Sequence, residues 1–143
     1  PILPITLTMA AACALINLWL AARCTRLRMV TKTLHGDGGH SQLAQRMRAH
    51  ANFTEYTPIV LILFALVEMA RGASIGLWAA AAVYVAARLA HGAGMDRDEP
   101  NILRATGVTL TWLILLGLAI FALIIAYGAT HAVPAPPAMA AHV

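Results

Sequence analysis

Charged residues are scarce in this chain: Asp, Glu, Lys and Arg make up 11% of its 143 residues, against 60% hydrophobic ones. With a mean hydropathy of +0.73, that balance lies outside the range of soluble domains and inside that of membrane proteins. Cysteine is almost absent. Cys13 and Cys24 sit on one predicted helix about 16 Å of rise apart, which excludes a mutual disulfide and leaves two free thiols with no reactive role assigned. Aromatic residues are few, at 6%, and do not interleave with the basic ones, so the formal charge of +4 does not describe a nucleic-acid binder. No charged segment precedes the first apolar stretch and no small-residue cleavage site follows it, so that stretch reads as a retained helix, not a signal peptide. Nucleophilic triads, P-loops and dinucleotide motifs are not found. Nor is there an internal repeat, which argues against a repeat-built transporter.

What is present is a set of long apolar runs. Four spans are predicted to cross a membrane, residues 5–22, 52–70, 75–89 and 103–127, giving an all-α four-helix transmembrane domain over residues 1–128 with polar helical extensions. The third span is short and ends on Arg88 and His91, so it is expected to continue as helix beyond the hydrocarbon core. Residues 129–143, which include AVPAPPAMAAHV, read as a mobile Pro/Ala-rich tail. Between the first two spans Arg23, Arg26, Arg28, Lys32, Arg46 and Arg48 stand against a single acid, Asp37. By the positive-inside rule that loop is cytoplasmic and both termini lie on the other side. Its segment HGDGGHS is a Gly-rich turn, and His35, Asp37 and His40, with no cysteine partner, read as a solvated turn rather than a metal site. Before the fourth span, Asp98 or Glu99 is expected to cap the helix and Pro100 to occupy its first turn, where free N–H groups favour an anion.

The expensive stretch is RMRAHANFTEYTP, residues 46–58, at the opening of the second span. On a helix advancing about 100° per residue, Arg48, Asn52 and Glu55 share one stripe, with Tyr56 beside it. An Arg or Asp at mid-bilayer costs about 2.5–3.5 kcal/mol, less near the interface, so such side chains are expected to face a bundle interior or a wet cavity. Without a ligand or a partner helix the stripe would hold unpaired polar groups. Arg88 and His91 share a face of the third helix. The alternative for that pair is a lipid boundary with Arg88 snorkelling.

The segment RAHANFTEYTP resembles the second-helix signature of the MAPEG family, the membrane-associated proteins in eicosanoid and glutathione metabolism, which pattern as R-A-x-x-N-x-x-E-x-x-P. The similarity covers nearly the whole chain and is specific in the second helix and in residues 88–104. It implies a bacterial-type member similar to microsomal glutathione transferase and prostaglandin E synthase, assembled as a homotrimer. Glutathione, as co-substrate, would bind between neighbouring subunits in a cleft open to the cytoplasmic side. On that resemblance Arg48 holds a ligand carboxylate, Glu55 accepts from the α-amine, Asn52 meets the peptide backbone and Tyr56 supplies a hydroxyl. Arg88 and His91 line the cleft, and Arg26 reaches it from the adjacent chain, with Arg23 and Arg28 as competitors for that role. Arg104, placed by its spacing from Arg88 and His91, matches the thiolate-stabilising arginine. A guanidinium beside a thiol favours the anion, and the thiolate is the nucleophile. Pairing of Arg104 with Asp98 or Glu99 alone would contribute little if exposed. His50, counted on the same resemblance among the glutathione-binding residues, is similar to the prostaglandin E synthase branch, and Asp37 stands at an offset from Arg26 that resembles an acid of that branch.

Two departures bear on the reaction. Met95 stands where eicosanoid synthases have a tyrosine, and Ala105 follows Arg104 where the prostaglandin E synthase branch has a serine. A general transferase or peroxidase acting on lipophilic electrophiles or lipid hydroperoxides is therefore expected ahead of an eicosanoid synthase. The alternative is a non-catalytic scaffold or lipid-binding subunit of a membrane assembly with the same fold. The Ala-rich composition points to a bacterial inner membrane, with lipids and a lipophilic small molecule as partners.

Overall fold

Residues 2–97 and 99–131 are described by a computed structural model, in which α1 (Pro4–Thr31), α2 (Ser41–Arg71), α3 (Ile75–Gly94) and α4 (Ile102–His131) follow one another without a strand among the described residues. All four are long and apolar enough to cross a membrane. Each outruns its apolar span, because hydropathy falls where the chain meets water while nothing there interrupts the backbone hydrogen-bond ladder. The 31 residues of α2 make a helix of about 46 Å, well beyond a hydrocarbon core of about 30 Å. Its first turns carry the basic run out of the bilayer. The start of the expected tail, residues 129–131, belongs to α4, and residues 132–143 lie outside the described residues.

The helices stand as a four-cornered bundle: α1 packs on α2 and α3, α4 packs on α3 and α2, and α1 and α4 hold opposite corners. Ile5, Met9 and Ile16 of α1, Phe53, Val60 and Phe64 of α2, and Tyr84 of α3 fill the centre. On α4 the buried residues are Gly107, Thr111 and Leu118. Leu113, Leu116, Leu123 and Ile124 of the same helix are exposed. An apolar surface of that extent requires lipid or another subunit as its solvent.

The start of α1 is closed from a distance. Pro4, its first helical residue, has no N–H, and no side chain of α1 itself caps the end. The next two N–H groups, of Ile5 and Thr6, donate to Glu68 Oε1 at 2.9 Å and Oε2 at 2.8 Å, and the Thr6 hydroxyl donates to Oε2 at 2.7 Å. A carboxylate near the end of α2 thus satisfies the orphan donors of α1 and complements its positive pole.

The start of α4 corrects the expected cap. Asn101, not Glu99, takes that position: the Arg104 N–H donates to Asn101 Oδ1 at 3.1 Å and the Ala105 N–H to the Asn101 carbonyl at 3.1 Å. Pro100 therefore precedes the cap instead of sitting in the first turn, and Asp98 lies outside the described residues. Asparagine is among the best N-cap residues, and here its amide also donates to the Gly94 carbonyl at 2.7 Å, joining α3 to α4.

Candidate functional site

The centre of the site is a buried cation. Arg88 of α3 is 1% exposed, which removes the snorkelling alternative. Its guanidinium donates to Asn52 Oδ1 of α2 at 2.8 Å and to Thr111 Oγ1 of α4 at 3.2 Å, and it stands 5.6 Å from the centroid of Phe53. Three helices thereby share one charge, as a desolvated guanidinium demands. Thr57 and Tyr84, whose hydroxyls lie 3.0 Å apart, add a second buried polar contact between α2 and α3.

The expected stripe on α2 divides. Asn52 turns inward to Arg88, so it is not left unpaired. Arg48 and Glu55 stay on the exposed side, where Arg48 donates to Glu55 Oε1 at 3.1 Å. Tyr56 is half-buried, and its hydroxyl accepts from Trp112 Nε1 of α4 at 3.1 Å. His50 faces α1, with its Nε2 2.8 Å from Asn17 Oδ1. Thr111, Trp112 and Asn17 were not foreseen from sequence. Each is one polar group in an apolar run, and only a partner on another helix gives it meaning.

Arg104 is exposed, and its side chain makes no hydrogen bond or ion pair among the described residues. Its backbone is held tightly. The carbonyl lies 3.1 Å from His91 Nδ1, and since a carbonyl only accepts, Nδ1 carries the proton. Asn101 fixes the N–H of the same residue. Glycines permit this approach of α3 to α4. A Cβ on Gly94 would stand 2.5 Å from the Arg104 nitrogen, and one on Gly107 would stand 2.6 Å from His91 Cβ. Nothing larger than hydrogen fits at either position.

The arginines of α1 separate by task. Arg23 forms an ion pair with Asp96, donates to the Gly92 carbonyl at 3.1 Å and lies over the Trp19 ring. Arg28 donates to the carbonyls of Leu34 at 3.2 Å and Gly36 at 3.0 Å, and so closes the loop to α2. Arg26 is exposed without a partner among the described residues. Asp37 accepts from the Gly39 N–H at 3.0 Å, a local turn contact. Cys13 and Cys24 are free and buried.

Arg48 on α2 and Arg104 on α4 thus lie on the N-terminal side of the buried Asn52–Arg88–Thr111 network, while Glu55 and Tyr56 follow Asn52 along α2, where Glu55 meets Arg48 and Tyr56 meets Trp112. No contact joins the Arg104 side chain to the other three among the described residues. His91 supports the Arg104 end from α3. Met95 is 5% exposed, and Ala105 carries no hydroxyl. Within one chain these side chains form two separate pairs, Arg48 with Glu55 and Tyr56 with Trp112, and an exposed Arg104.

Comparison with known proteins agrees with this architecture. The inner membrane protein YecN of Escherichia coli strain K12 is 33% identical over 107 residues, a stretch covering 75% of this chain and 81% of YecN. The protein of the same name from Escherichia coli O6:H1 matches equally, at 33% identity. Residues 6–124, which enclose the polar network and most of all four helices, match the profile of the MAPEG family. With the second-helix signature in place and four membrane-length helices around it, the chain is a membrane protein that belongs to the MAPEG family.

Proposed function

We propose that this chain is a glutathione transferase, with peroxidase activity on lipid hydroperoxides, acting as a homotrimer in a bacterial inner membrane. Its basic loop would lie on the cytoplasmic side and both termini on the other. The observation that carries the reading is Arg104, a solvent-facing guanidinium with no partner of its own whose backbone is pinned by His91 and Asn101. An unpaired cation on a held backbone, brought beside a thiol, favours thiolate.

The exposed Arg48–Glu55 pair suits ligand exchange. A glutathione carboxylate replaces Glu55 on Arg48, and the released Glu55 accepts from the ligand ammonium, so one surface ion pair becomes two at modest cost. Tyr56, whose oxygen already accepts from Trp112, keeps its O–H for donation. Asn52, Arg88 and His91 shape the floor, His50 steadies the opening of α2 against α1, and Arg26 closes the cleft from the adjacent subunit. The thiolate then forms a C–S bond to the electrophile, whose leaving group departs with the bonding pair, while the thiol proton passes to water. With a hydroperoxide, sulfur attacks the terminal oxygen and the O–O bond breaks. The alkoxide takes a proton, and a second glutathione converts the sulfenic acid to disulfide and water. Membrane embedding concentrates such lipophilic substrates.

A non-catalytic reading draws on Met95 and Ala105, which bring no hydroxyl, and on the commitment of Asn52 to Arg88. There the polar residues are a packing network of a scaffold or lipid-binding subunit. Titration of glutathione into detergent-solubilised protein, followed by ultraviolet difference absorbance of thiolate, separates the two. A thiolate band that is lost in Arg104→Ala supports the transferase. Absence of both band and binding supports the scaffold.

A further inference from the structure

The seam between α1 and α3 lies apart from the α2–α4 face and carries two hollows in line. One, of about 380 Å³, is apolar and walled by Met9 and Ala12 of α1 and by Ala82, Val85 and Ala86 of α3. Small side chains leave it open. The other, of about 440 Å³, lies farther along both helices, among Trp19, Arg23, Arg26, Arg46 and Asp96. The guanidinium groups of Arg23 and Arg46 meet the one carboxylate there, and Arg26 lines the hollow without a partner among the described residues. Arg46 Nε is enclosed 3.5 Å from Asp96 and hydrogen bonds to nothing among the described residues. Arg23 lies 4.6 Å from the centroid of Trp19, an aromatic residue of the kind that settles at a membrane interface. About 21 Å of rise separates Ala82 from the level of Asp96, which matches one leaflet with its headgroups, half of a bilayer of about 40–45 Å.

We infer that this seam binds one anionic glycerophospholipid of the leaflet at the basic end, with its phosphate between Arg23 and Arg46 and an acyl chain along the alanine-walled hollow. Excess positive charge at the surface end and a dry slot at bilayer depth are complementary to the two parts of such a lipid, and to neither a soluble anion nor a neutral lipid. The inference does not depend on the glutathione reading. It places the lipid on the α1–α3 seam, to which α2 contributes Arg46 alone.

Native mass spectrometry of the full chain, delipidated and then given phosphatidylglycerol or chain-matched phosphatidylcholine, tests it. Retention of phosphatidylglycerol over phosphatidylcholine is expected, weakened about fivefold by Arg46→Gln, since one basic group near an anionic membrane contributes a factor of that size. Ala86→Leu, at an exposed position, is expected to weaken phosphatidylglycerol retention by filling the slot while leaving the arginines untouched. Equal retention of both lipids overturns the proposal. So does a phosphatidylglycerol signal that inorganic phosphate abolishes and Ala86→Leu leaves unchanged, which marks a soluble-anion site. Disulfide capture of Ala86→Cys between subunits also overturns it, because a second copy then fills the seam.

Discussion

Arg88 and Arg104 are the same side chain on two helices that touch, and they live under opposite conditions. Arg88 is sealed among α2, α3 and α4, and its charge is divided between an amide and a hydroxyl. Arg104 is anchored through its backbone while its guanidinium stands in solvent. Burial with partners makes a charge a structural tie. Exposure without partners, on a backbone that cannot shift, leaves a charge available to something outside the chain. The position of Arg88 is enforced by the cost of leaving it unpaired, whereas that of Arg104 is enforced by glycines and a capping asparagine that lie beside it.

The largest effect expected is on the buried side of this contrast. Asn52→Leu leaves the Arg88 guanidinium enclosed with one partner fewer and should destabilise the bundle by about 3–5 kcal/mol, whereas Arg88→Met, which removes the charge and keeps the volume, should cost clearly less. Denaturant unfolding of solubilised protein followed by helical circular dichroism measures both, and the reverse ranking would break the comparison. Glu68→Ala tests whether the other buried ion is also structural. Two stranded N–H groups at about 1–3 kcal/mol each predict a loss of ~3 kcal/mol in the same unfolding measurement. Arg104→Ala should lower turnover about a hundredfold, equivalent to about 2.7 kcal/mol, while changing stability by no more than about 0.5 kcal/mol. A stability loss as large as that of Asn52→Leu would show the two arginines to be alike after all. Smallest is Arg48→Ala, expected to alter stability by about 0.2–1 kcal/mol and to raise the KM for glutathione with little change in kcat.

Much of the architecture was legible in the residues, because a span long and apolar enough to cross a bilayer declares itself by hydropathy. Helix ends were not. Arg23 to Thr31 continue α1 and Ser41 to Ala51 open α2 in sequence where cations interrupt the apolar residues, so intrahelical bonding persists where hydropathy no longer marks a span. For the site, the unusual positions Asn52, Glu55, Arg88 and Arg104 could be recognised from type and spacing. Their division into buried and exposed could not, since a stripe on one helix does not say which neighbour it meets. Asn52 and Glu55 are three residues apart, and one faces Arg88 while the other faces Arg48. Glu68 went unnoticed because its partners are backbone N–H groups more than sixty residues away, and backbone donors leave no mark in a sequence.

The reach of Glu68 bears on how the molecule is made. The carboxylate and the first turn of α1 both lie within the first 71 residues, so their bonds require no part of α3 or α4. The α1–α2 hairpin can lock at the end opposite its loop while the ribosome is still translating the remainder. On that order the second hairpin, whose helices meet closely at Gly94 and Gly107, would dock onto a closed pair that already presents Asn52 to Arg88.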